Sequence, residues 1–137
     1  MIIGYTSGVF DLFHIGHLNL LKKAKGMCDK LIVGVCTDEL TIQYKHKKPF
    51  VSFENRLEIV QNIRCVDIAI PQESLDKTEV YKKYKFDIIL IGDDWFGNER
   101  WIQTDSFFSS KGVKVVYLPY TKGISSTYLS QIINGNL

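Results

Sequence analysis

The sequence predicts an α/β fold in which five parallel strands form a doubly wound sheet within a single domain. Short apolar runs alternate with segments of helical pattern along the chain, which is the order expected of strand-helix-strand units. The apolar runs lack polar alternation, so helices should cover both faces of the sheet. A length of 137 residues is that of one domain, predicted to cover residues 1–137.

The first part of the chain supplies two strands and one helix of this pattern. Residues 2–6 are predicted to form the first strand, and residues 18–24 the first helix. The uninterrupted apolar run at 31–36 predicts a second strand that is buried on both faces. Residues 38–51 interrupt the alternation and contain a basic stretch, so they are predicted to form a loop.

The remainder continues the alternation from Ser52 onwards. Ser52 is the expected N-cap of a helix whose apolar side should be supplied by Leu57, Ile59, Val60 and Ile63. A short third strand at 66–70 is expected to end at Pro71. The later predicted elements are a helix at 78–84, a strand at 86–91, a helix at 100–108, a strand at 113–118 and a last helix from Ser125 or Ser126 to Asn134.

The composition is that of an ordinary globular protein, with 45% hydrophobic and 23% charged residues. The net charge of +2 is too small to indicate a nucleic-acid partner, but it permits a local basic site for a polyanionic small molecule. Cys28, Cys36 and Cys65 lack metal-ligand spacing and are expected to be thiols. No apolar run approaches the roughly 20 residues that cross a membrane, and no signal-peptide pattern begins the chain, so a cytoplasmic protein is expected.

His14 and His17 flank Gly16 where the first strand is predicted to lead into the first helix. Ligands usually bind at this edge of a parallel sheet, and the N–H groups of a helix start favour anions. Gly16 allows a ligand to approach the backbone closely. Histidines with this spacing also occur as surface residues or as metal ligands. The position nevertheless favours phosphate binding.

Other polar segments are predicted at or near the same edge. Lys45, Lys47 and Lys48 form a cluster suited to triphosphate capture, although such clusters are more often solvated loops. Asp93 and Asp94 follow the fourth strand, where carboxylates serve as turn residues, metal ligands or acceptors for the exocyclic amine of a base. Residues 121–127 contain Gly and several hydroxyls, which suit a helix cap or a phosphate cradle.

The run Gly-Val-Phe-Asp-Leu-Phe-His-Ile-Gly-His at 8–17 resembles the His-x-Gly-His signature of the nucleotidyltransferase superfamily, which has a Rossmann-like fold, and most closely its cytidylyltransferase branch. Residues 121–127 resemble the second signature of that branch, Arg-Thr-x-Gly-Ile-Ser-Thr-Thr, and Gly-Asp-Asp-Trp at 92–95 resembles the glycerol-phosphate cytidylyltransferase group. The resemblance covers nearly the whole chain. Two departures are Tyr120, where the signature has arginine, and Val9, where the closest relatives often have a hydroxyl residue.

This resemblance implies an enzyme that transfers CMP from CTP to a small phospho-alcohol, foremost glycerol 3-phosphate, with Mg²⁺ bridging phosphate oxygens. The alternatives are another phospho-polyol or phospho-amino-alcohol as acceptor, an adenylyltransferase of the same superfamily, or a non-catalytic nucleotide-binding protein. The resemblance also implies a homodimer with small-molecule substrates and with neither nucleic acid nor membrane as partner. Cell-surface polymer biosynthesis is one pathway that such an activity would serve.

The site residues follow from the resemblance. The catalytic residues implied are His14, His17, Lys45 and Lys47, and no protein side chain is required as a metal ligand; Asp11 is a candidate for orienting the loop or the metal. Arg56, in a Ser-x-Glu-x-Arg pattern at 52–56, ranks above Arg64 as a basic residue facing the nucleotide. The implied nucleotide-binding residues are Ser7, Gly8, Val9, Phe10, His14, Gly16, His17, Arg56, Gly92, Asp94, Thr121, Gly123, Ile124, Ser125 and Ser126.

Overall fold

The computed structural model describes residues 1–92, 99–119 and 126–135. Five parallel strands form one sheet in the order β3-β2-β1-β4-β5. Along the chain the elements are β1 (Ile3–Gly8), α1 (Ile15–Lys25), β2 (Lys30–Cys36), α2 (Asp38–Lys45), α3 (Phe53–Gln61), β3 (Ile68–Gln72), α4 (Thr78–Tyr84), β4 (Ile88–Gly92), α5 (Glu99–Ser110), β5 (Lys114–Leu118) and α6 (Ser126–Ile133).

Helices cover both faces of the sheet, so the predicted doubly wound α/β fold is confirmed. On one face, Leu21 of α1 and Val60 of α3 pack with the apolar residues of β2. On the other face, Phe108 of α5 packs with Phe86 and with Tyr5 of β1. The chain changes face between β3 and β4, so β1 and β4 meet at the point where the strand order reverses. Ligands of such sheets bind beyond the carboxyl ends of the strands at that point.

The predicted loop at 38–51 is wrong for its first half, because residues 38–45 form α2. The Oγ1 atom of Thr37 accepts from the N–H of Leu40 at 3.2 Å and caps the helix. Asp38 and Glu39 add negative charge to the first turn, where the helix dipole favours it. The helix buries only Leu40 and Thr41, so its apolar pattern is too weak to be seen in the sequence.

For the third helix, the expected N-cap residue is confirmed, whereas Ile59 is wrongly assigned to the buried apolar side. Ser52 is the N-cap residue of α3 but makes no side-chain cap bond; the carboxylate of Asp38 accepts from the N–H of Phe53 instead, at 3.3 Å. Ile59 is 41% exposed, whereas the side chain of Arg56 is buried on the core side. The buried side of α3 therefore includes the charged residue Arg56 beside Val60.

Strand β3 continues through Pro71 to Gln72, although proline was expected to end it. Proline lacks a backbone N–H, and sheets accept it on edge strands, where one side of the strand has no partner. β3 is such an edge strand. None of the described helices is both long and apolar enough to span a bilayer.

Candidate functional site

The two histidines form the N-terminal cap of α1. His14 is the N-cap residue, and its Nδ1 accepts a hydrogen bond from the N–H of Gly16 at 3.0 Å. His17 is the third helical residue, and its Nδ1 accepts from the N–H of His14 at 3.2 Å. This reciprocal pair is a capping box made of imidazoles. Because each Nδ1 is an acceptor, each neutral ring carries its proton on Nε2.

The imidazole rings lie face to face inside an apolar surround. Their centroids are 3.9 Å apart with an interplanar angle of 25°. Phe10 and Phe13 pack against His17 at centroid distances of 5.4 and 5.2 Å. The Nε2 atom of His14 is buried and has no hydrogen-bond partner among the described residues. A buried donor without a partner is costly, so this atom marks a place where a ligand oxygen would be stabilised.

Both histidines are neutral at pH 7. Burial lowers the pKa of His17 to about 3, and the charges of His14 and Lys45 act in the same direction. Burial also lowers the pKa of His14. Neutral imidazoles with Nε2–H groups are hydrogen-bond donors rather than cations or proton acceptors at that atom.

The loop between β1 and α1 holds a strained backbone. Phe10 and Leu12 have φ values of +56° and +50°, in the left-handed region that bulky residues rarely adopt. Between them, the carboxylate of Asp11 accepts from the N–H groups of Leu12 at 3.1 Å and of Phe50 and Val51 at 2.9 Å each. A carboxylate that accepts from three backbone N–H groups fixes the loop that leads into the histidine pair.

The predicted lysine cluster, Lys45, Lys47 and Lys48, begins at the end of α2. α2 ends at Lys45, and His46 caps it in the left-handed conformation with φ +59°. The ammonium of Lys45 lies 5.8 Å from the ring centre of Tyr44, and its charge is one cause of the lowered pKa of His17. Lys47 is exposed in the segment that follows. The prediction that Lys45 and Lys47 approach substrate phosphates stays a prediction.

Arg56 is buried at 1% exposure, and its guanidinium bonds to protein groups. It donates to the carbonyl oxygens of Val51, Val9 and Cys36 and pairs with Asp38. These partners differ from the nucleotide that the family resemblance implies for Arg56. Its position one turn before Val60, on the buried face of α3, was the available signal of burial.

The other predicted residues divide into those the structure describes and those it does not. Ser7 and Gly8 end β1, Gly16 lies in the first turn of α1, Gly92 ends β4, and Ser126 is the first residue of α6. These residues mark carboxyl ends of strands or starts of helices, as a site at this edge requires. Outside the described residues lie the predicted ligands Asp94, Thr121, Gly123, Ile124 and Ser125, together with Tyr120.

A protein-held metal centre has no support in the part of the chain that the structure describes. No three His, Cys, Asp or Glu side chains of those residues are grouped as metal ligands. Mg²⁺ typically keeps several waters and is held through substrate phosphates with one or two carboxylates.

Comparison with known proteins identifies similar chains across nearly the full length. Residues 5–132 match the family model described as cytidylyltransferase-like. The chain is 39% identical over 131 residues to glycerol-3-phosphate cytidylyltransferase of Bacillus subtilis (strain 168), with 95% of each chain covered. It is 37% identical to the Staphylococcus aureus (strain NCTC 8325 / PS 47) protein of the same name, covering 95% of this chain and 93% of that one. An FAD synthase of Pyrococcus abyssi (strain GE5 / Orsay) is 35% identical, with 93% and 87% covered.

Solved structures agree with the fold. The lipopolysaccharide core biosynthesis protein from Thermoplasma volcanium GSS1 superposes with a TM-score of 0.74 at 30% identity, covering 90% of this chain and 99% of that one. A pantoate-beta-alanine ligase from Francisella tularensis superposes with a TM-score of 0.66 at 14% identity, covering 98% and 69%. The second likeness supports the fold alone.

Proposed function

Because the chain belongs to the cytidylyltransferase-like family, we propose that it transfers CMP from CTP to glycerol 3-phosphate, forming CDP-glycerol and pyrophosphate. Three relatives named glycerol-3-phosphate cytidylyltransferase share 37–41% of their residues with it over at least 92% of the chain. The structural observation that carries the proposal is the histidine pair, whose Nε2–H groups are fixed as donors by the capping of α1.

The proposed reaction is a single in-line displacement. A phosphate oxygen of glycerol 3-phosphate attacks the α-phosphorus of CTP, and the bond from that phosphorus to the oxygen bridging to the β-phosphate breaks. The electron pair leaves with pyrophosphate, so no covalent enzyme intermediate is needed. Negative charge develops on the bridging and α-phosphate oxygens. Donors already aimed at those oxygens stabilise the transition state more than the ground state.

His14 and His17 are proposed to supply these donors through Nε2. Their rings cannot turn without losing the hydrogen bonds that begin α1, so the donors are held in place before substrate binds. Phe10 and Phe13 keep water away from His17, which strengthens its hydrogen bond to an anion. Lys45 and Lys47 would contact the triphosphate and the acceptor phosphate as mobile cations.

Mg²⁺ is proposed to enter with CTP. When bound, it neutralises charge on the triphosphate and orients the leaving pyrophosphate. Gly16 has no side chain, so a phosphate would be able to approach the start of α1 closely there. Ser7, Gly8, Val9, Phe10 and Gly92 are proposed to line the nucleotide pocket at the strand ends.

The second candidate function differs from the first in the acceptor and in the base of the nucleotide. The similarity to an FAD synthase at 35% identity over 93% of the chain favours, as the second candidate, an adenylyl transfer to another acceptor. We also propose that the enzyme acts as a cytoplasmic homodimer, which analytical ultracentrifugation at micromolar concentration would test. A monomer that turns over at full rate would contradict the dimer proposal.

The activity is tested by incubating the chain with CTP, ATP, GTP or UTP and a panel of phospho-alcohols, with Mg²⁺ present, and by measuring pyrophosphate release. We expect turnover with CTP and glycerol 3-phosphate, and loss of turnover without Mg²⁺. A product formed only with ATP would replace the proposal by the second candidate. Tight CTP binding without any product would indicate a non-catalytic nucleotide-binding protein.

A further inference from the structure

The peptide groups of Phe50 and Val51 are held by two charged side chains from different parts of the chain. Asp11, in the loop before α1, accepts from both backbone N–H groups at 2.9 Å. Arg56, in α3, donates from Nε to the carbonyl oxygen of Val51 at 2.8 Å. The segment that follows Lys45 is thereby attached to the histidine loop on one side and to α3 on the other.

The same guanidinium joins the carboxyl ends of two central strands. Its Nη1 donates to the carbonyl oxygens of Val9 and Cys36, each at 2.7 Å, and its Nη2 pairs with Asp38 at 2.6 Å. Four of its five N–H groups are thus bonded to described residues, and the residue is 1% exposed. Because these N–H groups are already bonded to protein atoms, the fork has little capacity left for a phosphate.

The position of α2 depends on the same group. Asp38 is the first residue of α2, and its carboxylate bonds both to Arg56 and to the N–H of Phe53, the first residue of α3. Lys45 is the last residue of α2. The helix that ends in a catalytic lysine therefore begins at the partner of Arg56. We call Asp11, Asp38 and Arg56 the clasp.

We propose that the clasp positions the lysine segment over the histidine pair, and that Arg56 acts as a positioning residue without contacting CTP. Charge-assisted hydrogen bonds to backbone groups hold geometry more firmly than neutral ones. Rotation of the segment would move Lys45 and Lys47 away from the phosphates while leaving the histidines capped on α1. The kinetic part of this inference rests on the proposed cytidylyl transfer.

A double-mutant cycle separates positioning from direct contact. Arg56→Lys keeps the charge but removes the fork, and a misplacement of about 1 Å should lower kcat/KM for CTP about 10²-fold. In a Lys45→Ala, Lys47→Ala background, the two lysines that are proposed to contact phosphate are absent, and Lys48 is the lysine left in the cluster. In that background, the fold-loss of kcat/KM caused by Arg56→Lys should be at least about tenfold smaller, because the effects of residues that act through each other are not additive. A full loss in that background overturns the proposal.

Asp11→Asn gives a second, nearly isosteric test on the opposite side of Val51. It should show the same dependence on the two lysines as Arg56→Lys does. The matched control is Lys25→Gln, which breaks the 2.6 Å ion pair with Asp67 near the amino ends of the strands. We expect this control to leave kcat/KM within about twofold of the wild type, since surface pairs contribute little.

Amide hydrogen exchange gives a readout that needs no activity. In Arg56→Lys and Asp11→Asn, exchange at Phe50 and Val51 should accelerate at least about tenfold, because the amides lose a fixed acceptor or its support. Unchanged exchange in both variants overturns the proposal. If the wild type forms no CDP-glycerol, the proposed function fails by itself; the cycle is then measured on the dissociation constant of CTP, and exchange still decides the role of the clasp.

Discussion

Lowering the pH should reduce the free energy of unfolding through protonation of His17, and replacing His17 should remove this part of the pH dependence. Its pKa is about 3 in the folded protein and about 6.5 in an unfolded chain. The unfolded state therefore binds a proton over this interval and the folded state does not. The stabilisation contributed by neutral His17 is fully present above pH 6.5 and is lost as the pH falls towards 3. Protonation would also remove the Nδ1 acceptor of the His14 N–H.

The magnitude follows from the difference between the two pKa values. At 1.36 kcal/mol per unit, the loss approaches about 5 kcal/mol below pH 3. Between pH 8 and pH 5 it amounts to about 2 kcal/mol, because only the part of the interval from 6.5 down to 5 has then been crossed. Burial also lowers the pKa of His14, so that residue adds to the loss in the same direction.

The assay is urea unfolding at pH 8 and at pH 5 for the wild type and for His17→Gln. Glutamine at the third helical position preserves a capping box, so the fold should be kept while the titration is removed. The free energy of unfolding should fall by about 2 kcal/mol less in His17→Gln than in the wild type. His46→Asn is the control, since asparagine suits the left-handed C-cap of α2. Equal losses in wild type and His17→Gln would refute the lowered pKa.

Three further outcomes are expected. His14→Asn should keep the melting temperature, because asparagine is a strong N-cap, but should lower kcat about 10²- to 10³-fold through loss of the Nε2–H donor; an unchanged kcat would contradict the donor role. Gly34→Ala should lower the free energy of unfolding by at least about 3 kcal/mol, because the added Cβ would overlap the Tyr5 hydroxyl and lie 3.0 Å from Oε1 of Gln72. The control is Gly26→Ala, whose nearest contact would be 3.4 Å, and which should change the free energy of unfolding by less than about 1 kcal/mol. Lys45→Ala should raise the KM for CTP at least about tenfold if its ammonium contacts phosphate, and an unchanged KM would exclude that contact.

The sheet could be predicted from the sequence because short, uninterrupted apolar runs are typical of parallel strands that are buried on both faces. The run at 31–36 coincides with β2 apart from its first residue, and the helix expected at 78–84 has those bounds. α2 could not be predicted in this way. It buries two residues, and its start depends on Thr37 and Asp38, whose hydroxyl and carboxylate would serve equally well in a turn. Without an apolar stripe beside them, capping residues therefore do not distinguish a helix start from a turn.

In the candidate site, the side chains involved could be predicted from the sequence, but their backbone hydrogen-bond partners could not. The spacing of His14 and His17 indicated a ligand site, and the structure confirms that both rings lie at the start of a helix beyond β1. The spacing of the histidines did not indicate that each Nδ1 accepts from a backbone N–H, which fixes the proton on Nε2. A motif records which side chains are present, whereas this tautomer depends on the direction of peptide groups that the motif does not encode.

The role of Arg56 is the clearest case of this difference. As a basic residue in a nucleotide-binding pattern, it was expected to face the nucleotide, and its helical spacing from Val60 was the one sequence signal of burial. Its three carbonyl partners come from residues 9, 36 and 51, which no periodicity brings together. A buried cation with carbonyl and carboxylate partners fixes the loops around it, and removing it would leave those partners unpaired. In the proposed arrangement, the positions of Lys45 and Lys47 therefore depend on a cation that itself stays out of the reaction.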